Sequence, residues 1–275
     1  MIEADTIRAI AADKGIHPGI IEKDYALSKV LQALARIDSY NQHLLFKGGT
    51  AIKKFYYPEW RFSEDLDFTS RDQLNPKDIQ SIFKQAVDQV GKLFGLGMRI
   101  IEYSQYPRSG DDIVSAQLKL GYDGPLRKSS GQKNNVRVDI AFEEIILTEP
   151  VTRELLPGYS DDIETQLKLY SLEEIISEKL RSILQRGKSR DYYDVWVLLK
   201  QYKSDFSNDS IWGILKKKCE FKGISAPVTA DFMNPERAEE ARRYWERGLA
   251  HQLSDLPDFD TVLEELRGLL DKTLK

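Results

Sequence analysis

One cysteine in 275 residues leaves nothing for an internal disulfide. Cys219 also has no Cys or His neighbour at zinc-ligand spacing, so it reads as an ordinary reduced thiol. Histidine is almost as scarce. His17, His43 and His251 are scattered along the chain and are assigned no chemistry. No run of apolar residues is long enough to span a bilayer, so no membrane partner is expected. The opening "MIEADTIRAIAADKG" is charged and amphipathic, unlike a signal sequence, and the expected location is cytoplasmic. An excess of positive charge is missing too: 40 Lys and Arg stand against 44 Asp and Glu. A nucleic-acid contact would therefore need a local basic patch. There is no internal repeat and no low-complexity tract.

What remains is a composition that is 41% hydrophobic, 10% aromatic and 31% charged, enough for a real core in a globular protein. The length suggests two units. Apolar residues at helical spacing predict helices over 3–14 and 19–36. "HLLFKGGT" is a short apolar run ended by two glycines, and "AIKKFYY" after it reads as a short helix broken by Pro58. "EDLDFTS" alternates like a strand, and Asn75–Pro76 open a helix over 76–94. Strands are expected at 98–105, 112–121 and 135–143, separated by turn-rich "YPRSGDD" and "YDGPLRKSSGQKNN". Beyond "LTEP" the pattern becomes helical, with helices expected at 172–186, 190–202, 209–221, 234–252 and 258–273. The expected organisation is an α+β unit over 1–155, with a mostly antiparallel or mixed sheet, followed by a helical unit over 156–275.

The candidate chemistry lies in "RFSEDLDFTS". Leu66 and Phe68 take one face of the strand, and Asp65 and Asp67 share the other. Chance alone gives about seven acid-x-acid pairs in a chain this acidic, so the spacing by itself decides little. Its location does more. Two adjacent carboxylates repel unless water or a cation lies between them. A hard divalent cation would take both as ligands, together with phosphate oxygens. A solvent-facing edge strand is the plainer alternative. Upstream, Gly48 and Gly49 end a strand and open a helix, where backbone N–H groups bind phosphates. Thr50 is placed to cap that helix and to offer a hydroxyl. Downstream, "NVRVDIAFEE" puts Asp139 on the polar face of another strand. Three carboxylates near a glycine-rich phosphate loop is how metal-assisted phosphoryl or nucleotidyl transfer is built.

The order of "GG", helix, D-x-D and a later lone Asp is similar to the polymerase-β-like nucleotidyltransferase superfamily. More specifically, "FKGGTAIKKFYYPEWRFSEDLDF", "SLEEIISEKLRSI" and "RGKSRDYYDVWVLL" resemble the AbiEii/MenT nucleotidyltransferase toxins, over about residues 20–200. That resemblance implies the superfamily's core with a mixed sheet and a helical C-terminal part. It implies the toxin half of a toxin–antitoxin pair, with a separately encoded antitoxin as partner. The implied reaction is Mg²⁺-dependent transfer of nucleotides from NTP to an RNA, the 3′ end of tRNA. It also assigns roles. Gly48, Gly49 and Thr50 correspond to the phosphate loop. Arg61, Ser63, Asp65 and Asp67 stand at R-x-S-x-D-x-D, with Arg61 toward the nucleotide and Ser63 among the catalytic positions. Asp65 and Asp67 are the implied metal ligands, with Asp139 a candidate third. Lys179 sits where the family places a nucleotide-binding lysine, and Asp191 and Asp194 match the last motif.

From the residues alone, Lys179 is equally a solvated helix lysine, and Asp191 is equally a favourable charge in a helix's first turn. Arg181, Arg186, Lys188 and Arg190 are the first candidate RNA-backbone patch, and Lys216, Lys217 and Lys218 the second. Tyr192, Tyr193 and Trp196 have the spacing of helix core more than of a base-stacking platform. Two rival functions remain: the same enzyme with a protein hydroxyl as acceptor, and a catalytically inactive binding module.

Overall fold

The computed structural model describes residues 1–72, 74–108, 113–127 and 134–274. The chain forms two compact units. The first comprises Met1–Glu144 and Pro150–Leu169, the second Ile145–Glu149 and Tyr170–Lys275.

In the first unit, helices α1 (Ala4–Lys14), α2 (Pro18–Leu34) and α3 (Asp38–His43) lead into strand β1 (Leu44–Lys47). Helix α4 (Gly48–Ala51) follows without a break and continues as a π-helical turn, Ile52–Tyr56. Then come β2 (Asp65–Ser70), α5 (Pro76–Phe94), β3 (Gly97–Pro107), β4 (Ile113–Asp123), β5 (Asn135–Ala141), β6 (Val151–Glu154) and β7 (Gln166–Leu169). The limits of α5 are chemical. The Asn75 side chain accepts from the amides of Lys77 and Asp78 at 2.9 and 3.0 Å, Pro76 occupies the first turn, and Gly95 closes the helix in the left-handed region at φ 64°.

All seven strands join one sheet in the order β3-β4-β5-β2-β1-β7-β6. It is mixed: β2/β5 and β1/β7 are parallel, and the other pairs are antiparallel. Each central strand is apolar on one face. Leu66, Phe68, Leu118, Val138 and Ile140 are all buried, and Phe68 meets Tyr40 of α3, Phe83 of α5 and Phe46 of β1. The helices therefore cover that face, as apolar burial requires.

The expected boundary at 155 differs from this arrangement, because β6 and β7 carry the sheet on to Leu169. Each is only four residues long, too short to show a period of two. The segment between them is held by charge. Lys29, fully buried on α2, lies 2.7 Å from Asp161 Oδ1 and 2.8 Å from Asp162 Oδ1. The amides of Gly158 and Tyr159 donate to Asp162 Oδ2, both at 2.8 Å. Burial alone would raise the Asp162 carboxyl; Lys29 and those two amides outweigh it and hold it below its ordinary value. Parts of the two expected turns, residues 109–112 and 128–133, lie outside the described residues.

The second unit is helical: α6 (Leu172–Arg186), α7 (Ser189–Gln201), α8 (Asn208–Phe221), α9 (Thr229–Phe232), α10 (Pro235–Arg243), α11 (Trp245–Leu249) and α12 (Phe259–Thr273). The single helix expected over 234–252 is interrupted at Tyr244, whose backbone leaves the helical region at φ −104°, ψ 9°. Tyr192, Tyr193 and Trp196 are core. The first packs edge-on to Phe259, and Tyr193 lies between Trp196 and Trp245, its ring tilted to both. The Tyr192 hydroxyl donates to the Phe232 carbonyl, and the Trp196 indole donates to Glu265. A base-stacking role is thus excluded in favour of the core reading.

Candidate active site

The polar face of the first unit's sheet carries a row of ionic side chains. Its origin is register. In the parallel pair β2/β5, Asp65 stands beside Arg137 and Asp67 beside Asp139. On the other side of β2, Lys47 of β1 is the partner of Asp67. On the other side of β5, Gln117 of β4 is the partner of Asp139. Partners in register share a face, so Lys47, Asp67, Asp139 and Gln117 form one line across four strands.

Arg137 bridges two acids of this face. Its Nη2 donates to Asp65 Oδ2 at 2.8 Å and its Nε to Asp139 Oδ2 at 2.9 Å. Gln117 Nε2 donates to Asp139 Oδ1 at 2.8 Å. Burial works against the Arg137 charge, but Asp65, then Asp139 and Asp67, more than offset it, and the guanidinium is held above its ordinary pKa.

The glycine turn fits against Asp67. Gly48 has φ +84°, and a Cβ added there would lie 2.4 Å from Asp67 Oδ2. Only glycine permits both the backbone and the approach. A Cβ at Gly49 would meet Arg61 Nη2 at 3.1 Å and Ser63 Oγ at 3.3 Å, so the predicted Arg61 and Ser63 also converge on the turn, both buried. Thr50 does not cap α4. Its hydroxyl donates to the Asp65 carbonyl at 2.6 Å and ties the helix to the strand. One turn on, Lys53 Nζ donates to the carbonyls of Pro58 and Trp60 at 3.2 and 2.9 Å, and burial pushes its ammonium down to about 8. Lys53 fixes the segment that leads into Arg61.

The donor set suits a hard divalent cation: carboxylate oxygens only, on one face, with no sulfur or imidazole among them. Asp65 and Asp139 already converge on a positive group, the Arg137 guanidinium, which stands in for a cation. In this arrangement no three acidic, His or Cys side chains among the described residues are grouped tightly enough to cage an ion. Asp65 and Asp139 each turn an oxygen to the Arg137 nitrogens. Asp65 and Asp67 have the donor chemistry for such an ion, and the Asp139 carboxylate is held by Arg137 and Gln117.

Gly48→Ala is expected to lower any activity of this site by ~10²-fold, because the new methyl must displace Asp67. The left-handed backbone should cost only about 1–2 kcal/mol of stability. Unfolding curves beside activity would separate the two effects, and a fully active variant would remove Asp67 from the site.

The remaining predicted residues lie in the second unit. Lys179 Nζ is 2.5 Å from Asp194 Oδ2, and both side chains are buried. Asp191 Oδ2 lies 3.2 Å from Arg186 Nε. The basic patches need correction. Arg181, a residue of α6, is buried rather than exposed, and Arg186 is paired with Asp191. Lys218 is fully buried against Glu174 at 2.6 Å. Lys188, Lys216 and Lys217 remain exposed. The sequence reading missed Arg137 and Lys47. Both stand at strand positions that alternation assigns to the acidic face, and a basic residue in phase with the acids was the available signal.

A family model described as nucleotidyl transferase AbiEii toxin, type IV toxin–antitoxin system, matches residues 29–265. Among solved structures, MenT4, a nucleotidyltransferase toxin from Mycobacterium tuberculosis H37Rv, is similar with a TM-score of 0.66 at 15% identity. The match covers 99% of this chain and 90% of MenT4. At that identity the likeness speaks for the fold. No curated protein sequence matches this chain.

Proposed function

Because the chain belongs to the AbiEii nucleotidyltransferase toxin family, we propose that it transfers a nucleotide from NTP to the 3′-hydroxyl of an RNA, with tRNA as the acceptor. The observation that carries this is the placement of Asp65, Asp67 and Asp139 on one face of adjacent strands, with Gly48 pressed against Asp67. In the reaction the RNA hydroxyl attacks the NTP α-phosphate, and its proton passes to a general base, for which Asp139 is the candidate if it is not a third metal ligand. The bond from the α-phosphorus to the α–β bridging oxygen breaks, and pyrophosphate leaves. Mg²⁺ bound at Asp65 and Asp67 would supply charge neutralisation on the phosphates and lower the pKa of the attacking hydroxyl. The chain's own residues do the rest. Asp65 and Asp67 present their oxygens from a rigid strand. Gly48 and Gly49 would let the backbone approach the phosphates, and Arg61 and Ser63, which converge on the turn, are proposed to act there, Arg61 on the nucleotide and Ser63 at a catalytic position. Within the second unit, Lys179 is proposed as a nucleotide-binding lysine whose ammonium Asp194, rather than Asp191, holds in place, and Asp191 as the residue that positions a substrate hydroxyl. Most of the acceleration would come from positioning and fixed charge. The proposed partners are NTP, RNA and a separately encoded antitoxin. Among the described residues, no helix is long and apolar enough to cross a membrane.

The test is purified protein with Mg²⁺, total tRNA and each α-labelled NTP in turn, with Asp67→Asn alongside. Label in RNA, absent with the variant, supports the reading and names the nucleotide. Label in protein keeps the chemistry and moves the acceptor. No label and no Mg²⁺-dependent NTP binding would make the chain an inactive binding module.

A further inference from the structure

The geometry points to Arg137 as a resident counter-cation that must leave the carboxylates before a divalent metal can enter, so that metal and nucleotide bind together. This rests on the nucleotidyltransferase reading above and adds to it a device that couples two ligands.

Three carboxylates, those of Asp65, Asp67 and Asp139, share one face of adjacent strands. Unscreened, they would repel one another. The Arg137 guanidinium lies among them, in contact with Asp65 and Asp139. An arginine does not lose its proton at any ordinary pH, and this one has two carboxylates in contact with it. Its charge therefore cannot be removed, only moved. Arg137 holds one of the two Asp65 oxygens at 2.8 Å, so a divalent cation must either take that oxygen from it or bind the other one beside the guanidinium. Two cations so close would also repel. Metal binding at this face is therefore opposed until Arg137 rotates away.

The side chain has the freedom to do so, since about 43% of its surface is exposed and it stands on a strand rather than in the core. Once displaced, it has lost its anionic partners. The polyphosphate of an NTP supplies new ones, in the bidentate geometry that guanidinium prefers. The cost of evicting Arg137 falls on the metal when the metal binds alone. Nucleotide offsets that cost when both bind. By linkage, each ligand then raises the other's affinity by the same factor, typically 5- to 150-fold.

The experiment measures Mn²⁺ affinity by electron paramagnetic resonance on the full chain, with and without a non-hydrolysable α,β-methylene NTP. Wild type, Arg137→Gln and Asp67→Asn are compared. Arg137→Gln keeps a polar side chain of moderate length on a half-exposed strand position, and its fold is checked by melting. The expected result is that wild type binds Mn²⁺ weakly alone and at least ~10-fold more tightly with the nucleotide. Arg137→Gln should bind Mn²⁺ alone at least ~10-fold more tightly than wild type and lose most of the nucleotide enhancement. Equal or weaker Mn²⁺ binding by Arg137→Gln would overturn the inference while leaving the metal site intact. No Mn²⁺ binding by wild type in either condition, or undiminished binding by Asp67→Asn, would instead overturn the carboxylate site itself, and this inference with it.

Discussion

Asp67→Asn is expected to reduce nucleotidyl transfer by at least ~10³-fold and to leave the melting temperature nearly unchanged. The residue sits where the site's parts meet. Its strand neighbours in register are Lys47 on one side and Asp139 on the other, and Gly48 is packed against its Oδ2. The substitution keeps the shape of the side chain and removes one oxygen ligand and one full charge. A 10³-fold loss corresponds to about 4 kcal/mol of transition-state stabilisation. No comparable folding cost is expected. Three acids share this face, and neutralising one relieves repulsion among the others. The opposite pattern, a large drop in stability with activity retained per folded molecule, would make Asp67 a structural partner of Lys47 and take the metal away from it. Measuring melting and transfer rate on the same preparation separates the two cases.

That pair of aspartates was legible in the sequence because a strand has a period of two. Once Leu66 and Phe68 are inside, Asp65 and Asp67 are committed to the other face, and the same logic places Asp139 opposite Val138 and Ile140. The glycine turn was legible because so few residues accept a positive φ. What could not be read was which strand lies beside which. The pairing of β2 with β5 joins residues 72 positions apart, so the contact of Arg137 with Asp65 depends on topology rather than on local pattern. The same limit explains β6 and β7. Four residues are too few to show alternation, and what holds the segment between them is Lys29, which lies on a distant helix. It also explains the error over Lys218. In "LKKKCEF" a third consecutive lysine looks solvated, and nothing nearby in the sequence announces the glutamate that faces it. The helical period does give a reason afterwards: Ile211, Ile214, Leu215 and Lys218 fall on one buried stripe of α8, and Lys216 and Lys217 fall off it.

Glu174→Leu is expected to destabilise the second unit by about 3–5 kcal/mol, more than Lys218→Met does. Glu174 and Lys218 are both fully buried, with Lys218 Nζ 2.6 Å from Glu174 Oε1 and 3.8 Å from Glu178 Oε2. Breaking such a pair strands a charge away from water, which is the costly event. The two ends are unequal, however. The Glu174 carboxylate also accepts from the amides of Leu147 and Thr148, at 3.2 and 2.9 Å to Oε2, and from the Thr148 hydroxyl at 3.0 Å. Those bonds hold the segment 145–149 to this unit. Leucine at 174 therefore leaves a buried ammonium and several bare backbone donors, each an unpaired polar group in an apolar setting. Methionine at 218 matches the lysine stem in shape and leaves a carboxylate that keeps its three donors. It forfeits the ion pair and the bond from Lys218 to the Ile145 carbonyl. Combining the two substitutions should recover part of the loss, because neither charge is then stranded, but not all of it, because the amides of Leu147 and Thr148 stay unsatisfied. In a chain of this size, each ~1 kcal/mol moves the midpoint by roughly 2–4 °C, so the Glu174 variant should melt on the order of 10 °C lower. Urea titrations of the two single variants and the double decide the matter. A double variant no more stable than Glu174→Leu would show that the ion pair contributes little and that the carboxylate acts as a backbone anchor alone.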